Sequence, residues 1–273
     1  MGTSLALALR GKCSAVHGVD PNPEARAAAA FAFDTLHADL ESAAPTAQVI
    51  ILAAPVRAIL KLIPAAAAYA QPGTLILDLG STKRAVVHAL DALPDHLLAV
   101  GGHPMCGKAT NGAEAAEDTL FQDCTFVLCP TARTTPEALA AARQIVRLCG
   151  GRPLLVEAEA HDRAVAVISH TAYLLSAAYM DTVRVEAAEQ GELVWELAAS
   201  GFRDMTRLSG GGVEMLHDVL LENRAMISAT LTLFEMRLSY LRNLLERGQE
   251  ARLRTEMERI QGLRRDWERR KQS

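Results

Sequence analysis

Between residues 14 and 157 short apolar runs alternate with longer helical ones, and that alternation most narrows the folds open to this chain. The runs SAVHGVD (14–20), QVIILAA (48–54), TLILDLG (74–80), DHLLAVGG (95–102), TFVLCP (125–130) and RPLLVE (152–157) predict strands. PEARAAAAFAF, VRAILKLIPAAAAYA and PEALAAARQIVRLCGG predict helices, the last closed by a Gly pair that suits a C-terminal cap. Strands alternating with helices imply an α/β domain of Rossmann-like type, with a doubly wound parallel sheet.

Beyond Glu157 nothing reads as a strand. HDRAVAVISHTAYLLSAAYMDTVRVEAAEQ predicts one long, mostly apolar helix, and ELVWELAAS, VEMLHDVLLENRAMISATLTLFEMRLSYLRNLLERG and a charged tail predict more. The expected division is an α/β domain over 1–157 and an all-helical domain over 158–273. Nine basic and six acidic residues lie between Glu246 and Lys271, with Leu253, Ile260 and Trp267 seven apart and Met257 on the same face. That pattern suits a solvated helix laying an apolar stripe on a partner helix better than a basic patch on an anionic surface.

Composition removes several classes of function. At 273 residues the chain can bury a sizeable core, and a net charge of −4 gives no electrostatic reason to expect a nucleic-acid partner. The apolar stretch VIILAAPVRAILKLIPAAAAYA is broken by Arg57, Lys61 and two prolines, so no membrane span is expected. The five cysteines show no CxxC spacing and read as reduced thiols, and no metal site is expected. The N-terminal LALAL is short and its basic residues follow it, unlike a signal peptide, so the expected location is the cytoplasm.

A dinucleotide fingerprint needs strand, G-x-G-x-x-G, helix, strand and an acidic residue about 20 positions on. Here Gly2 matches only the last glycine, the one that lets helix and strand pack closely, and Asp20 follows it by 18 residues. As a ribose acceptor Asp20 would repel a 2′-phosphate and favour NAD over NADP; as a strand-end residue it would turn the chain at DPNP. Both readings stay open. In a doubly wound sheet the first strand is central, and its absence would expose two inner edges. The expectation is that Met1 is internal to the glycine turn, with about ten further residues upstream.

Three later stretches carry reactive groups. LDLGSTK places Ser81 and Lys83 beyond a strand's C-terminal end, where open α/β sheets bind ligands. GGHPMCGKATNG puts His103 at the same edge, and FRDMTR spaces Arg203 and Arg207 four apart around Asp204. Each has a bland alternative. His103 could satisfy loop carbonyls, Ser81 could cap the following helix, and the arginines could pair with Asp204. Lys83 and Lys108 read as structural or solvent-facing, and His161-Asp162 reads as a helix start.

Together with AVISHTAYLLSAA, these segments resemble the prephenate/arogenate dehydrogenase family of tyrosine biosynthesis over nearly the whole chain. The specific elements are GGHPM-x-G, HDRAVAVISH and FRDMTR, in that order. The resemblance implies an oxidoreductase that joins a nucleotide-binding domain to a dimerising helical one. It implies NAD-dependent oxidative decarboxylation of prephenate to 4-hydroxyphenylpyruvate, or of arogenate to tyrosine. His103 matches the family's catalytic histidine and Ser81 the serine that orients hydroxyl and imidazole. Arg207 and His170 match substrate-binding residues, while Gly2 and Asp20 fall at the cofactor.

The chain departs from the family pattern at the missing glycines, at Ala109 where relatives often have an acidic or polar residue, and at Leu216 where they often have Trp. The SGGG at 209–212 is expected to loosen its helix junction. Two rivals are a β-hydroxyacid-type dehydrogenase and a non-catalytic helical dimer with a decayed nucleotide domain. The former usually carries a Lys on the interdomain helix, and HDRAVAVISHTAYLLSAAYMD has none.

Overall fold

A computed structural model describes residues 1–107 and 112–272, the last two by backbone alone. Lys108 and Ala109 therefore lie outside the described residues. The chain forms two compact units, Met1–Arg224 and Ala225–Ser273.

The first unit opens with α1 (Gly2–Leu9), β1 (His17–Val19), α2 (Pro23–Ala29), β2 (Thr35–His37) and α3 (Leu40–Ala43). It continues through β3 (Val49–Leu52), α4 (Val56–Tyr69), β4 (Leu75–Asp78), α5 (Arg84–Asp91) and β5 (Leu98–Pro104). Next come β6 (Thr125–Pro130), α6 (Pro136–Leu148) and β7 (Arg152–Leu155). Helix boundaries follow local chemistry. Asn22 caps α2 ahead of Pro23, and Thr135 caps α6 ahead of Pro136.

Five strands form one sheet in the order β3-β4-β5-β6-β7, while β1 and β2 pair in parallel apart from it. A doubly wound sheet would set its first strand between β1 and β3. Among the described residues no strand joins the two sheets there. The expectation of a parallel sheet holds for every pair except β5–β6, which runs antiparallel. A parallel partner needs a crossover, usually a helix, and the described part of the 105–124 connection contains turns but no helix.

The five-stranded sheet is covered on both faces. Leu75, Leu77, Val100, Phe126 and Leu128 pack with α1 and α6, whereas Ile50, Leu52, Ile76 and Ala99 pack with α4 and α5. This is the period-two alternation of a strand, with each fully buried large side chain contributing about 1.5–3 kcal/mol relative to exposure. All four residues of β4 are buried, as a central strand requires.

After β7 the unit is helical. α7 (Ala158–Val165) runs into a π-helical segment, Ala166–His170, and then α8 (Thr171–Gln190). The expected single helix thus carries one widened turn at AVISH, a distortion frequent at functional sites. α9 (Leu193–Glu196), α10 (Ser200–Thr206), a 3₁₀ turn at Arg207–Gly210 and α11 (Val213–Glu222) complete it. In the second unit α12 (Arg224–Glu246) and α13 (Glu250–Gln272) are joined through Gly248, whose φ of 59° suits glycine. Met236, Leu238 and Leu245 are exposed, as are Met257, Ile260 and Trp267 on α13. Among the described residues no helix is long and apolar enough to cross a membrane.

One close approach governs the sheet edge. A Cβ on Gly102 would lie 2.4 Å from the Asp78 carbonyl oxygen of the neighbouring strand. Gly102→Ala should therefore force β4 and β5 apart and cost about 1–3 kcal/mol, lowering the urea midpoint. An unchanged midpoint would contradict this packing.

Candidate active site

Four segments of the first unit converge beyond the C-terminal ends of β4 and β5: the β4–α5 loop, the end of β5, α7 with its π turn, and the end of α11. At the base lies a buried ion pair. Asp78 and Lys83 are both fully buried and paired. Asp78 also accepts from the Gly80 and Gly102 amides at 2.7 and 2.9 Å, and Lys83 Nζ donates to the Gly102 carbonyl at 2.6 Å. Buried charges persist only with such full satisfaction. Lys83 is thus structural and not solvent-facing.

Above it, Asp162 joins α7 to α5. Its carboxylate accepts the Lys83 amide at 2.7 Å and the Arg84 amide at 2.9 Å, capping the N-terminus of α5 from 79 residues away. No side chain at the N-cap of α5 itself does this work, and Ser81 does not cap it either. The same carboxylate accepts from His161 Nδ1 at 2.8 Å, and His161 Nε2 lies 2.8 Å from His103 Nδ1. His161-Asp162 is therefore no helix start: α7 begins at Ala158, and both side chains turn into the protein, 2% and 3% exposed. Asn223, following α11, donates to the Asp162 carbonyl at 2.7 Å and lies 3.2 Å from His170 Nδ1.

The ends of this chain assign its protons. A carboxylate only accepts, so His161 Nδ1 carries hydrogen, and His161 Nε2 is the ring nitrogen left to accept from His103. His103 Nδ1–H then donates to it, leaving His103 Nε2 bare. Two rings at 5.1 Å and 76° hold that geometry edge to face. Electrostatics agrees. Burial, then the Lys83 charge and the two other histidines, hold the His103 pKa well below its ordinary value. Burial raises the Asp162 carboxyl, but hydrogen bonds from His161 and from the Arg84 and Lys83 amides outweigh it and keep its pKa low. Burial pulls His170 down to about 4, against the attraction of Asp162. The arrangement therefore presents a neutral, partly exposed imidazole with a free nitrogen, which can accept a proton.

The remaining predicted residues distribute around this group. Ser81 is half-buried in the β4–α5 loop, two residues from Lys83, and its hydroxyl has no hydrogen-bond partner among the described residues. Arg203 and Arg207 are exposed, and neither pairs with Asp204 among the described residues. The 3₁₀ turn bearing Arg207 lies on α8, held by a 3.0 Å bond from the Ser209 amide to Ser176 Oγ. With Ser209 Oγ donating to the Thr206 carbonyl at 2.7 Å, the SGGG junction is pinned and not loosened. Leu216 contacts it, since a Cβ on Gly211 would lie 2.8 Å from Leu216 Cδ1.

At the cofactor end, a Cβ on Gly2 would meet the Ala53 Cβ at 3.1 Å, so α1 approaches the chain leaving β3 closely. Asp20 Oδ1 accepts the Asn22 amide at 2.8 Å, closing the expected turn, while its other carboxylate oxygen has no partner among the described residues. Turn and ribose roles are thus compatible. Hollows of about 300 Å³ beside Pro55 and His217 and about 360 Å³ beside Met180 and Trp195 lie away from His103.

Residues 5–155 match the model of the prephenate dehydrogenase nucleotide-binding domain, and residues 157–259 match that of the prephenate dehydrogenase dimerization domain. The chain belongs to the prephenate dehydrogenase family. It is 31% identical over 213 residues to the cyclohexadienyl dehydrogenase of Zymomonas mobilis, covering 78% of this chain and 72% of that one. It is 31% identical over 235 residues to the prephenate dehydrogenase of Bacillus subtilis, covering 83% and 62%. Among solved structures, Aquifex aeolicus prephenate dehydrogenase in complex with hydroxyphenyl propionate and NAD+ has a TM-score of 0.90 at 26% identity, covering 97% and 94%. Synechocystis arogenate dehydrogenase has a TM-score of 0.81 at 29% identity, covering 97% and 95%. The prephenate dehydrogenase fold is thus a Rossmann-like domain followed by a helical one in this chain also.

His103 and His170 bind protons more weakly folded than unfolded. The unfolded chain therefore gains protons first as pH falls below 6.5, and stability drops from there towards about 4, where folded His170 titrates. The urea midpoint should be lower near about pH 5 than at neutral pH, with a smaller drop in His170→Asn. Equal midpoints at both pH values would contradict the assignment.

Proposed function

We propose that this chain catalyses NAD-dependent oxidative decarboxylation of prephenate or arogenate, with His103 as proton acceptor. The observation that carries the reading is the Asp162–His161–His103 chain, which leaves His103 Nε2 bare at the ligand-binding edge of the sheet. A bound NAD would supply the acceptor for the hydride of the hydroxyl-bearing ring carbon. The protein supplies the other parts. His103 Nε2 takes the hydroxyl proton, and the low pKa keeps it ready for that role at neutral pH. Ser81, without a partner among the described residues, orients the hydroxyl; Arg207, an exposed guanidinium with no ion pair among the described residues, holds a carboxylate; His170 lines the pocket. Carbon dioxide leaves as the ring becomes aromatic, and the proton on His103 returns to the phenolic oxygen.

Gly2 and Asp20 would hold the cofactor. The close α1–β3 contact at Gly2 and the open oxygen of Asp20 fit a dinucleotide. The carboxylate disfavours a 2′-phosphate, so NAD is preferred to NADP. β3 and β5 are two strands apart, about 10 Å at ordinary strand spacing, which supports the reading that one bound cofactor and substrate span the helix N-terminus and His103. We further assign residues 1–157 to the nucleotide domain and 158–273 to the helical one. The exposed apolar faces of α12 and α13 support a homodimer, and the cytoplasm is the proposed location.

The test is NADH formation by the chain supplied with NAD and, separately, each of the two ring substrates. His103→Asn should lower turnover by about 10²–10⁴-fold with little change in NAD affinity. Arg207→Ala should mainly raise the Michaelis constant for the ring substrate. Unchanged turnover in the first variant, or an unchanged Michaelis constant in the second, would remove the corresponding role. The exposed apolar faces of α12 and α13 also suit a second reading, a non-catalytic helical dimer, which silence with both substrates would select.

A further inference from the structure

Two cysteines beside the histidine loop stand outside the chemistry described so far. The antiparallel β5–β6 register pairs His103 with Val127 and Pro104 with Phe126. The ladder continues, because the Met105 amide donates to the Thr125 carbonyl at 2.8 Å. One further step sets Cys106 opposite Cys124. Since Met105 and Thr125 occupy a hydrogen-bonded position, the next pair is a non-hydrogen-bonded one, with Cα atoms about 4.5 Å apart. Disulfides span about 4.4–6.8 Å between Cα atoms, so the pair can close with little backbone movement.

The surroundings favour closure. Both cysteines are half-buried, and the Cys124 thiol, which donates to the Thr125 carbonyl at 3.7 Å, lies near enough to the Cys106 thiol for each to shift the other's pKa. Cys124 is fixed on both sides, its amide donating to the Phe121 carbonyl at 3.1 Å and its carbonyl accepting the Arg152 amide at 2.8 Å. Asp123 before it holds a left-handed φ of 55° that turns the chain into β6. The hydrogen bond from Cys106, then the Arg152 charge, lowers the Cys124 pKa against burial, while that of Cys106 rises. Cys124 is thus the attacking thiolate and Cys106 the resolving thiol. Burial pushes Cys129 and Cys149 up to about 12, which leaves them poor nucleophiles.

We propose that Cys106 and Cys124 form a reversible disulfide by exchange with a low-molecular-weight disulfide, tying the end of β5 beside His103 to the start of β6. The Cys124 thiolate attacks one sulfur of the small disulfide, forming a mixed disulfide and expelling one thiolate. Cys106 loses its proton and attacks the Cys124 sulfur, expelling the second thiolate. Two protein S–H bonds become one S–S bond, and the small disulfide takes two electrons and two protons to leave as two thiols.

The experiment treats the native chain with oxidised glutathione, removes it, and counts thiols after unfolding, with peptide mapping alongside. The expected result is the loss of two thiols beyond any adduct on the exposed Cys13, a Cys106–Cys124 linked peptide two hydrogens lighter than its reduced parts, and full reversal by dithiothreitol. Cys106→Ser should instead accumulate one glutathione adduct on Cys124. Free thiols at both Cys106 and Cys124, separate adducts on the two in the unmutated chain, or a link from Cys124 to Cys149 would overturn the proposal. These readouts do not depend on the enzymatic activity.

Discussion

The Asp162 carboxylate is the interaction on which the rest of the site depends. It is buried, and three donors from two distant stretches of chain meet on it: the Lys83 and Arg84 amides and His161 Nδ1. By capping α5 it fixes the β4–α5 loop that carries Ser81, and by holding His161 it sets the ring to which His103 donates. Loss of one partner from such a buried group costs about 1–3 kcal/mol, more when a charge is left unpaired. Stability and site geometry are therefore coupled through one side chain.

A second charge sets the electrostatic tone. Lys83 is neutralised by Asp78, yet it stands close enough to His103 to disfavour an imidazolium there. Burial acts in the same direction. Both effects keep the histidine in the state that accepts a proton, while the orienting carboxylate lies at the far end of the His161 bridge. Where a triad places carboxylate and base in contact, this site inserts a second imidazole between them.

Much of this was legible in the sequence, and the failures have physical causes. All six predicted strands are present, because hydrophobic runs between turn signals report burial directly. β2 was missed since Thr35–His37 is only three residues long and half-exposed. The antiparallel β5–β6 pair was open to inference from a connection without a helical pattern. The histidine loop was legible through its resemblance, as were Ser81, His170 and Arg207 as candidates. Lys83, His161 and Asp162 were undervalued because their partners lie 79 and 58 residues away in sequence, beyond the reach of local spacing. A polar pair in a helix whose other buried position, Val165, is apolar was the available signal. The π turn at AVISH left none, since apolar periodicity does not distinguish one extra residue in a turn.

The central claim is that Asp162, through His161, leaves His103 Nε2 unprotonated and available. Nitrogen-15 NMR of the imidazoles at neutral pH tests it most directly. The account predicts that His103 carries its proton on Nδ1, shows an unprotonated Nε2, and keeps that state as pH falls below 6.5. A His103 protonated on Nε2, or one that titrates at the ordinary histidine value, would contradict it.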